Sequence, residues 1–534
     1  MIRSLLNRLP KPVYRRAQDV YFVLRRLRSH NALIRLKWTL ARRFPPDTQR
    51  EHPVILFGVH YAGDLMEANW ISPVESLFAV YLRLRYRARI VFYVNNRHIL
   101  FITLYRAFGF REFIFEEDQG QTREMPALDP LLADFSVERL KAFHYRGVPL
   151  GKLALDSTFR TIQKSRLTTP ADFSVLADHL RDGVQRIHAS EQVLAQVCPD
   201  AVVCNHTIYL GYGGVLFHKA LASGIPVFSW QGRDARTIVF RRFRPDYAYE
   251  DEAAFRPQDW EAMHSDPARE SYIEQAKSFL EARMQGNHPT LPNGEKIGLK
   301  YQTEIPAWLD GKTPLVGVFT HLPWDAAGSF FTDVFPTLAD WIEATARTAL
   351  ENDSVHWVFR VHPAEANYGS LEDTSALIHA IIPPDTPHVH IVEASAPFSS
   401  YAMTPQLIAG ITVRGTLAVE LPTLGIPVIC GGGGHTSFLP HNLFPKTPEE
   451  YRQVLLNVQR LKRLDDAQIR EALLFAYTFF IHKPIRFDCV SNLVDLKQLA
   501  RLTPEAILAD RGVQRASEMI MRAATTPSSD VPFG

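Results

Sequence analysis

The sequence predicts an α/β protein with two parallel β-sheets, a basic helical segment at the N-terminus and further helices at the C-terminus. The chain has 534 residues, which is more than a single hydrophobic core usually organises. Short apolar runs alternate with helical patterns over residues 54–230 and again over 315–430, and this β-α-β order is typical of parallel sheets. A polar, helical stretch at 250–300 separates the two blocks and is the expected linker.

The first block contains four predicted strands and three predicted helices. The strands are the apolar runs 54–59, 90–94, 201–204 and 225–230. The helices are expected near 75–85, 173–197 and 214–222. Residues 110–172 show no clear period, so we interpret them as an irregular insertion with some helix.

The second block contains five predicted strands. They are the runs 315–319, 355–361, 388–392, 407–413 and 426–430. Helices are expected at 333–351 and at 416–424, and Gly425 closes the second of these. From 447 to about 523 the pattern is mostly helical, and 525–534 is expected to be disordered. Ligands of open parallel sheets bind at the carboxyl ends of the strands, so the cleft between the two domains is the expected site.

The first 43 residues differ from the rest of the chain in charge. They carry twelve Arg and Lys residues and one acidic residue, whereas the remaining chain has 47 basic and 56 acidic residues. Val20, Val23, Leu24 and Leu27 recur there at helical spacing, and an apolar stripe flanked by cations suits an anionic membrane surface. The alternative is a helix packed on its own protein with a solvated basic face. Nucleic acid is not an expected partner, because the remaining chain is acidic and lacks a stacking-platform motif.

Cysteine usage and hydropathy predict a reducing compartment. The four cysteines cannot form a disulfide framework, and no pair has the C-x-x-C spacing of a zinc site. No apolar stretch reaches the roughly 18 residues needed to span a bilayer, and Arg and Lys interrupt any signal-like core at the N-terminus. We therefore expect a cytoplasmic protein, with residues 1–43 as the element that would hold it at the inner face of the plasma membrane.

Common catalytic signatures are absent from the sequence. It contains no G-x-x-x-x-G-K-[ST], no G-x-S-x-G and no H-E-x-x-H. It also contains no Asp-x-Asp pair, so neither a metal nor another cofactor is expected. Any chemistry therefore has to come from the loops that follow the strands.

One such loop is R-V-H-P-A-E, from Arg360 to Glu365. Pro363 ends the strand and leaves His362 at the carboxyl edge of the sheet as a hydrogen-bond donor for a phosphate. The alternative is a capped strand end with an ordinary surface histidine.

A second loop is T-V-R-G-T-L-A-V-E, from Thr412 to Glu420. The strand turns through Gly415 into a helix, so backbone N–H groups and the Thr416 hydroxyl are expected to face an anion. Glu420 lies one helical turn further on the same face, where a carboxylate can hold a ribose diol. As structure alone, the same residues would be a turn, a cap and a surface acid.

A third loop, T-H-L-P-W-D-A-A-G from Thr320 to Gly328, follows the first strand of the second block. Its short polar residues, among them Asp325, suit a phosphate-facing loop, while Trp324 is more typical of packing.

A fourth loop, C-G-G-G-G-H from Cys430 to His435, lets the backbone approach a ligand closely at Gly432 and Gly433. A plain flexible turn is the alternative.

Together these motifs resemble those of a known family. F-T-H-L-P-W-D-A-A-G (319–328), R-V-H-P-A-E (360–365), S-S-Y (399–401) and V-R-G-T-L-A-V-E-L-P-T-L-G-I-P-V-I (413–429) occur in this order. The combination resembles bacterial capsule and surface-polysaccharide glycosyltransferases with two Rossmann-like domains, the GT-B fold. The stretch P-D-A-V-V-C-N-H-T-I-Y (199–209) resembles the family strand that ends in a His and a Tyr near the interdomain cleft. The resemblance covers about 54–477.

The His-Pro element also resembles that of bacterial sialyl- and Kdo-transferases, where it contacts the nucleotide phosphate, and that of glycerophosphotransferases. Some of these have Ser-Ser or Ser-Thr before the glutamate, where this chain has Gly415-Thr416. The resemblance therefore implies a nucleotide-sugar donor, either CMP-linked or diphosphate-linked, on the second domain. Without an Asp-x-Asp pair, His, Arg and backbone N–H groups have to neutralise the leaving nucleotide. The expected donor-binding residues are Arg360, His362, Glu365, Gly415, Thr416, Glu420, Thr320, Asp325, Gly432 and Gly433.

The first domain is expected to bind a glycan or glycolipid acceptor and to supply the base. Asp64 or His60 is the favoured base for an inverting reaction, with His206 as a third candidate, while helix capping is the alternative role of Asp64. The expected acceptor-binding residues are Glu67, Tyr209, Arg233 and Arg236. The two arginines would bind an anionic acceptor or a donor phosphate, or would simply be solvated.

The predicted function is a metal-independent glycosyltransferase that builds a capsule or lipopolysaccharide-type glycan, with a CMP-linked donor favoured over UDP- and GDP-linked ones. The alternatives are a CDP-polyol phosphotransferase of teichoic-acid-like polymer synthesis, a sugar-nucleotide epimerase, and a silent scaffold of the same fold. The corresponding parts of the chain are a basic amphipathic helical arm (1–45), an acceptor domain (46–265), a linker (266–310), a donor domain (311–475), and C-terminal helices with a disordered tail (476–534).

Overall fold

Two β-sheets organise the computed structural model of the chain. The structure describes residues 36–44, 51–60, 65–95, 99–245, 257–285, 306–330, 334–368, 370–433, 436, 439–493 and 495–526. Within this part of the chain, no helix is long and apolar enough to cross a membrane.

The first sheet has seven strands in the order β12-β6-β5-β4-β1-β2-β3. Its strands are β1 (Glu51–Val59), β2 (Ala88–Val94), β3 (Phe113–Phe115), β4 (Ala201–Asn205), β5 (Val227–Asp234), β6 (Thr237–Phe243) and β12 (Ile485–Arg486). The strands β1 to β5 pair in parallel, while β6 is antiparallel to both of its neighbours. The four strands predicted from the first block are confirmed. The sequence missed β3 and β12 because they are short, and β6 because arginines interrupt its apolar pattern.

The second sheet has five strands in the order β11-β10-β7-β8-β9, and all of its pairs are parallel. Its strands are β7 (Leu315–Phe319), β8 (His356–Arg360), β9 (Val389–Val392), β10 (Leu407–Thr412) and β11 (Val428–Cys430). All five predicted strands of the second block are confirmed. The α/β class with two parallel sheets is therefore established.

Helices cover both sheets. Those of the first half are Leu65–Tyr86, Ile99–Ala107, Asp129–Ala133, Val137–Ala142, Leu150–Ile162, Pro170–Val197, Gly214–Ala222, Pro257–Ser265 and Arg269–Met284. Those of the second half are Ala327–Phe330, Leu338–Glu351, Ala364–Tyr368, Thr374–His379, Leu417–Glu420, Pro448–Leu456, Asp466–Tyr477, Leu496–Leu499, Pro504–Ala509 and Arg511–Thr525. The longest begins at a capping box in which Thr169 and Asp172 satisfy each other's backbone N–H groups.

Residues 110–172 contain the helix that the sequence analysis expected, but they are part of the core rather than an insertion. They contain β3 and three helices, and the last of these, Leu150–Ile162, lies between the two sheets. Leu153 and Phe159 belong to the same hydrophobic core as Trp341 and Trp357 of the second domain. The region is therefore the apolar wedge that joins the two domains.

The C-terminal helices return to the first sheet. β12 pairs with β6, and the side chains of Val513 and Ile520 share one core with Ile55 and Phe57 of β1. The first domain therefore contains residues from both ends of the chain, which a division in chain order does not show.

The described part of the basic arm packs on the protein itself. Leu36, Leu40 and Phe44 are buried in the core of the first domain. The Arg43 guanidinium donates to the carbonyl oxygens of Ala500 and Leu502 at 2.7 and 3.0 Å. The packed-helix alternative thus holds for residues 36–44, whereas the stripe from Val20 to Leu27 lies outside the described residues.

Candidate functional site at the interdomain junction

The carboxyl ends of the two sheets meet through the loops that follow β4 and β7, and we call this region the junction. Tyr209 donates its hydroxyl hydrogen to Asp325 Oδ1 at 2.6 Å. The same hydroxyl accepts a hydrogen bond from the backbone N–H of Ala326 at 2.9 Å. A hydrogen bond to a charged group contributes about 1.5–3 kcal/mol, so Tyr209 helps to fix the two domains against each other.

Arg160 completes the junction from the helix between the sheets. Its guanidinium donates to Tyr212 Oη at 3.0 Å and to Asp325 Oδ1 at 3.4 Å. It also lies 4.9, 5.1 and 5.9 Å from the ring centroids of Tyr209, Tyr212 and Trp324. Three aromatic rings and a carboxylate therefore hold this cation in place.

Backbone strain marks both sides of the junction. His206 has a φ of 74° and Ala326 a φ of 55°. L-residues pay roughly 1–2 kcal/mol for this left-handed conformation. Such strain persists only where surrounding contacts enforce it, and it concentrates at functional sites. Here it occurs in the two loops that the Tyr209–Asp325 hydrogen bond joins.

His206 keeps a neutral imidazole at the junction. Burial lowers the pKa of His206 to about 4, with Arg160 lowering it further and Asp325 raising it. The ring also lies edge-on to Tyr212, with the centroids 5.5 Å apart. His206 is therefore an uncharged group at neutral pH, and Asp325 stabilises the cation that it forms on accepting a proton.

His362 lies beyond β8 in a defined tautomer. Its backbone N–H donates to Thr320 Oγ1 at 3.0 Å, and its Nδ1 accepts from the Ala364 backbone N–H at 3.2 Å. Because Nδ1 accepts, the neutral ring carries its hydrogen on Nε2. Burial lowers the pKa of His362, as does Arg360, while Asp325 raises it. The half-buried ring thus offers one N–H donor.

His321 is a third neutral imidazole, which the sequence analysis did not assign. Its Nε2 accepts from the Arg414 backbone N–H at 3.3 Å and lies 3.1 Å from Thr412 Oγ1. Burial, the neighbouring His362 and Arg414 lower the pKa of His321 to about 3. The loops after β7, β8 and β10 are therefore linked through two histidines.

Thr320 and Gly415 support these loops. Thr320 is buried, and its hydroxyl donates to the Arg360 carbonyl oxygen at 3.3 Å while it accepts from His362. A Cβ at Gly415 would lie 3.1 Å from Thr412 Oγ1, so a larger residue there would require the Thr412 side chain to shift by a few tenths of an ångström. Both residues shape the loops around the His362 ring.

Thr416 and the glycines after β11 lie near the same edge. Thr416 is half-buried, and its side chain makes no capping hydrogen bond to the one-turn helix Leu417–Glu420. Gly432 is buried and Gly433 half-buried. Their predicted contacts with a donor stay predictions.

Arg360 and Glu365 have side chains turned towards their own chain. The Arg360 guanidinium, which is 3% exposed, donates to the carbonyl oxygens of Val392, Glu393, Ala396 and Phe398. The Glu365 carboxylate accepts from the N–H and the hydroxyl of Thr374 at 2.9 and 2.8 Å. These contacts position the loops, and direct contacts of the two residues with a donor stay predictions.

Glu420 is held in a buried ion pair. Its side chain is 1% exposed, and its Oε1 accepts from Arg283 Nε at 3.0 Å. The Tyr401 hydroxyl donates to Oε2. Arg283 belongs to the helix Arg269–Met284, so the segment expected to be a linker holds the carboxylate expected to bind ribose.

His60 follows β1 and is 2% exposed. Its ring lies edge-on to Tyr93 at 4.9 Å, and its Nε2 is 3.9 Å from Glu116 Oε2. Neither ring nitrogen has a hydrogen-bond partner within the described chain. Burial, with Arg186, lowers the pKa of His60 to about 3. His60 therefore faces Glu116, away from solvent.

The remaining predicted residues are placed as follows. Asp64 lies outside the described residues, as does the side chain of Glu67, whose backbone belongs to the helix Leu65–Tyr86. The Arg233 guanidinium lies 4.5 Å from the centroid of the Phe479 ring. Arg236 is half-buried between β5 and β6.

Sequence reasoning missed Arg160, His321, Arg283 and Glu116. Three of them lie in segments that were interpreted as insertion or linker; Glu116 follows the short apolar run Phe113–Phe115, while Arg160 and Arg283 lie in helices with other charged residues and carried no separate signal. His321 was part of a motif but carried no separate signal. Among the described residues, no group of three or more His, Cys, Asp or Glu side chains could hold a metal ion.

Comparison with known proteins gives structural neighbours only. No family model and no curated protein matches the chain. Similar solved structures include the KpsC β-Kdo 2,7-transferase of Thermosulfurimonas dismutans, at 11% identity over 66% of this chain and 96% of that one, with a TM-score of 0.34. The β-Kdo 2,4-transferase of the same organism has 14% identity over 57% and 87%, with a TM-score of 0.33. A Neisseria meningitidis UDP-GlcNAc 2-epimerase bound to UDP-GlcNAc has 12% identity over 80% and 98%, with a TM-score of 0.28. These identities and TM-scores are too low to indicate a function.

Proposed function

We propose that the chain is a glycosyltransferase of the GT-B type that uses a nucleotide-activated sugar. The observation that carries the proposal is the junction, where strand ends of two parallel sheets meet and bring His206, Tyr209 and Arg160 against Asp325 and His362. Two substrates that must react with each other can be held there from opposite sides. Parallel α/β sheets bind ligands at this end of their strands.

The second sheet would bind the nucleotide of the donor. The His362 Nε2–H is the donor group offered at the edge of β8, and Arg414 lies beside His321 in the neighbouring loop. These groups would stabilise the negative charge that develops on the leaving phosphate oxygen. Because His362 is neutral, it can donate to phosphate without an ion pair to break on product release.

The first sheet would supply the base. In a direct displacement, the acceptor hydroxyl loses its proton to His206 while its oxygen bonds to the anomeric carbon of the sugar. The bond from that carbon to the phosphate oxygen breaks, and its electron pair stays on the nucleotide. Asp325 would stabilise the resulting imidazolium, consistent with its raising of the His206 pKa.

Residues 1–43 would hold the enzyme at an anionic membrane, where a lipid-linked acceptor would be found. Trp38 is 68% exposed, and the neighbouring Lys37 and Arg42 are exposed as well. Trp side chains favour the membrane interface, and cations add about 1 kcal/mol each near anionic lipid. Co-sedimentation with anionic liposomes should fall in high salt and with Trp38→Ala, whereas Leu371→Ala, at a 60% exposed residue of the second domain, should change nothing. Equal behaviour of the two variants would contradict membrane contact at Trp38.

A donor screen tests the proposed activity. The protein is incubated with CMP-, CDP-, UDP- and GDP-linked sugars, and thermal shift identifies the nucleotide that binds. The bound donor is then followed by NMR with and without a glycan acceptor. A glycosyltransferase should release nucleotide only with the acceptor, whereas conversion of the free donor to an epimer, or formation of a phosphodiester, would contradict the proposal.

A further inference from the structure

A second polar site is a cavity of about 180 Å³ at the carboxyl ends of β2 and β3, on the first sheet. Its lining includes the polar side chains of Asn95, Glu116, Glu117, Asp182, Gln185 and Arg186. The volume is below the roughly 300–1,000 Å³ of sites for drug-sized ligands, so a small ligand, such as one sugar ring, is the fitting occupant.

Glu116 is fixed at the base of the cavity. Arg186 donates to its Oε1 at 2.5 Å, and the Tyr93 hydroxyl donates to its Oε2 at 3.1 Å. Arg186 is in turn held by Asp182, with Nε to Oδ2 at 2.7 Å. The Glu116 carboxylate therefore keeps one orientation, and its side chain is still 14% exposed.

His60 adds an unpaired polar group behind Glu116. Its ring is 2% exposed, its Nε2 lies 3.9 Å from Glu116 Oε2, and neither nitrogen has a hydrogen-bond partner within the described chain. Burying such a group without a partner costs about 1–3 kcal/mol. The cost is offset if the ring acts on a ligand of the cavity through Glu116.

Two glutamines of the helix Pro170–Val197 hold the loop that lines one side of the cavity. Gln185 accepts from the Thr122 N–H at 2.9 Å and donates to its carbonyl oxygen at 3.0 Å. Gln192 accepts from the Gly120 N–H at 3.1 Å. The loop that closes the cavity is thus tied to a rigid helix, which lowers the entropy cost of binding.

We propose that this cavity binds the sugar ring of the acceptor and selects against rings that carry an acidic group. That the ligand is the acceptor rests on the proposed function, whereas the selectivity depends on the residues that line the cavity. The lining carries three carboxylates, those of Glu116, Glu117 and Asp182, against one cation, Arg186. The side-chain amides of the lining Asn and Gln residues add hydrogen-bond donors and acceptors that suit hydroxyl groups. A carboxylate or phosphate on the ligand would meet like charges at short range, whereas hydroxyl or ammonium groups would not.

The arginines after β5, for which an anionic-acceptor role stays a prediction, are separate from this cavity. The Arg233 guanidinium is stacked on Phe479, and Arg236 lies in the hairpin between β5 and β6. Neither residue lines the cavity.

Saturation-transfer NMR on the full chain with three matched probes tests the selectivity. The probes are methyl β-glucoside, methyl β-glucosaminide and methyl β-glucuronide, which differ in one substituent each. We expect the first two to bind and the glucuronide to bind about three- to tenfold more weakly. Glu117→Gln should narrow this difference in affinity, whereas Asp178→Asn, at an exposed acid of the helix Pro170–Val197 outside the cavity, should leave it unchanged. Gln121→Trp, at the exposed rim, should abolish binding of all three.

The same titrations separate this proposal from the proposed function. Equal binding of glucuronide and glucoside, or unchanged binding in Gln121→Trp, would overturn the cavity proposal. Nucleotide binding without any glycoside binding would overturn it as well. Glycoside binding that follows the expected pattern in a protein that binds no nucleotide would support the cavity and contradict the glycosyltransferase.

Discussion

The strand-end loops of the second sheet and those of the first sheet use their polar side chains differently. In the second sheet, Arg360, Glu365 and Glu420 are buried and bonded to their own chain. In the first sheet, His60 is buried without a partner in the described chain, and His206 lies in a strained loop at the junction. A motif rich in ligand-binding residue types can therefore serve mostly to hold loops, while the groups left for chemistry lie elsewhere.

The largest expected effect concerns the first sheet and tests whether His206 acts as the base. His206→Asn should lower turnover by about 10²–10⁴-fold, because general bases contribute that much, while nucleotide affinity stays within about twofold. Asn accepts a positive φ, so the strained loop at His206 should keep its shape. Steady-state kinetics and calorimetry give the two quantities. Normal turnover in His206→Asn, with an intact fold, would assign the base elsewhere, and Asp64 would be the next variant.

Replacing Glu420 tests whether its buried carboxylate serves to hold the loops of the second sheet in place. Glu420→Ala leaves the Arg283 guanidinium buried without its carboxylate, so the free energy of unfolding should fall by about 3–5 kcal/mol. Arg283→Met in the same chain should recover much of this loss, since replacing both partners removes the unpaired charge. Urea unfolding measures both variants. A stable Glu420→Ala protein that no longer binds nucleosides would instead favour the ribose contact.

Tyr209→Phe probes the contact between the two domains. It removes the hydroxyl that bonds Asp325 and the Ala326 N–H, so we expect a loss of about 1.5–3 kcal/mol in unfolding free energy. Turnover should fall more than nucleotide affinity, because the acceptor side is no longer fixed against the donor side. Tyr145→Phe, at a half-buried tyrosine whose hydroxyl contacts Glu124 and His188 within the first domain, is the matched control. Equal effects of the two substitutions would show that the junction is not a special contact.

The smallest expected effect concerns pH. The pKa of His206 in the folded chain is about 4, below the unfolded value of about 6.5, so folding stability is fully present above pH 6.5 and falls as pH drops towards 4. At pH 5, the contribution of this one group to the loss should be about 1–2 kcal/mol. His206→Asn should therefore lose less stability between pH 7 and pH 5 than the unmodified chain. Identical pH profiles would contradict a buried, neutral His206.

The sequence predicted the order of the strands well because apolar runs of four to seven residues have few alternatives to buried strands. All nine predicted strands are confirmed, while the short strands β3 and β12 and the arginine-bearing β6 were missed. The wedge at 150–162 was also missed, because its buried face lies between two domains and depends on both. Long-range pairs such as Arg283–Glu420 cannot be found from spacing, since the partners are joined only by the fold.

The candidate site, too, was only partly predictable from the sequence. The sequence drew attention to His206, Tyr209, Asp325 and His362, and the structure brings their loops together at the junction. It could not show which motif residues have their side chains turned inward, as Arg360 does, because that depends on the carbonyl groups of a loop more than thirty residues away in the chain.

Nucleotide binding at His362 tests the central claim most directly. The His362 Nε2–H should donate to phosphate with about 1.5–3 kcal/mol, so His362→Ala should weaken the preferred nucleotide by about 10- to 150-fold in calorimetry. The corresponding nucleoside, which lacks phosphate, should bind equally well to both proteins, and EDTA should change neither affinity. His379→Ala, at an exposed histidine of the second domain, should behave like the unmodified chain. Unchanged nucleotide affinity in His362→Ala would contradict the donor site and, with it, the proposed glycosyltransferase.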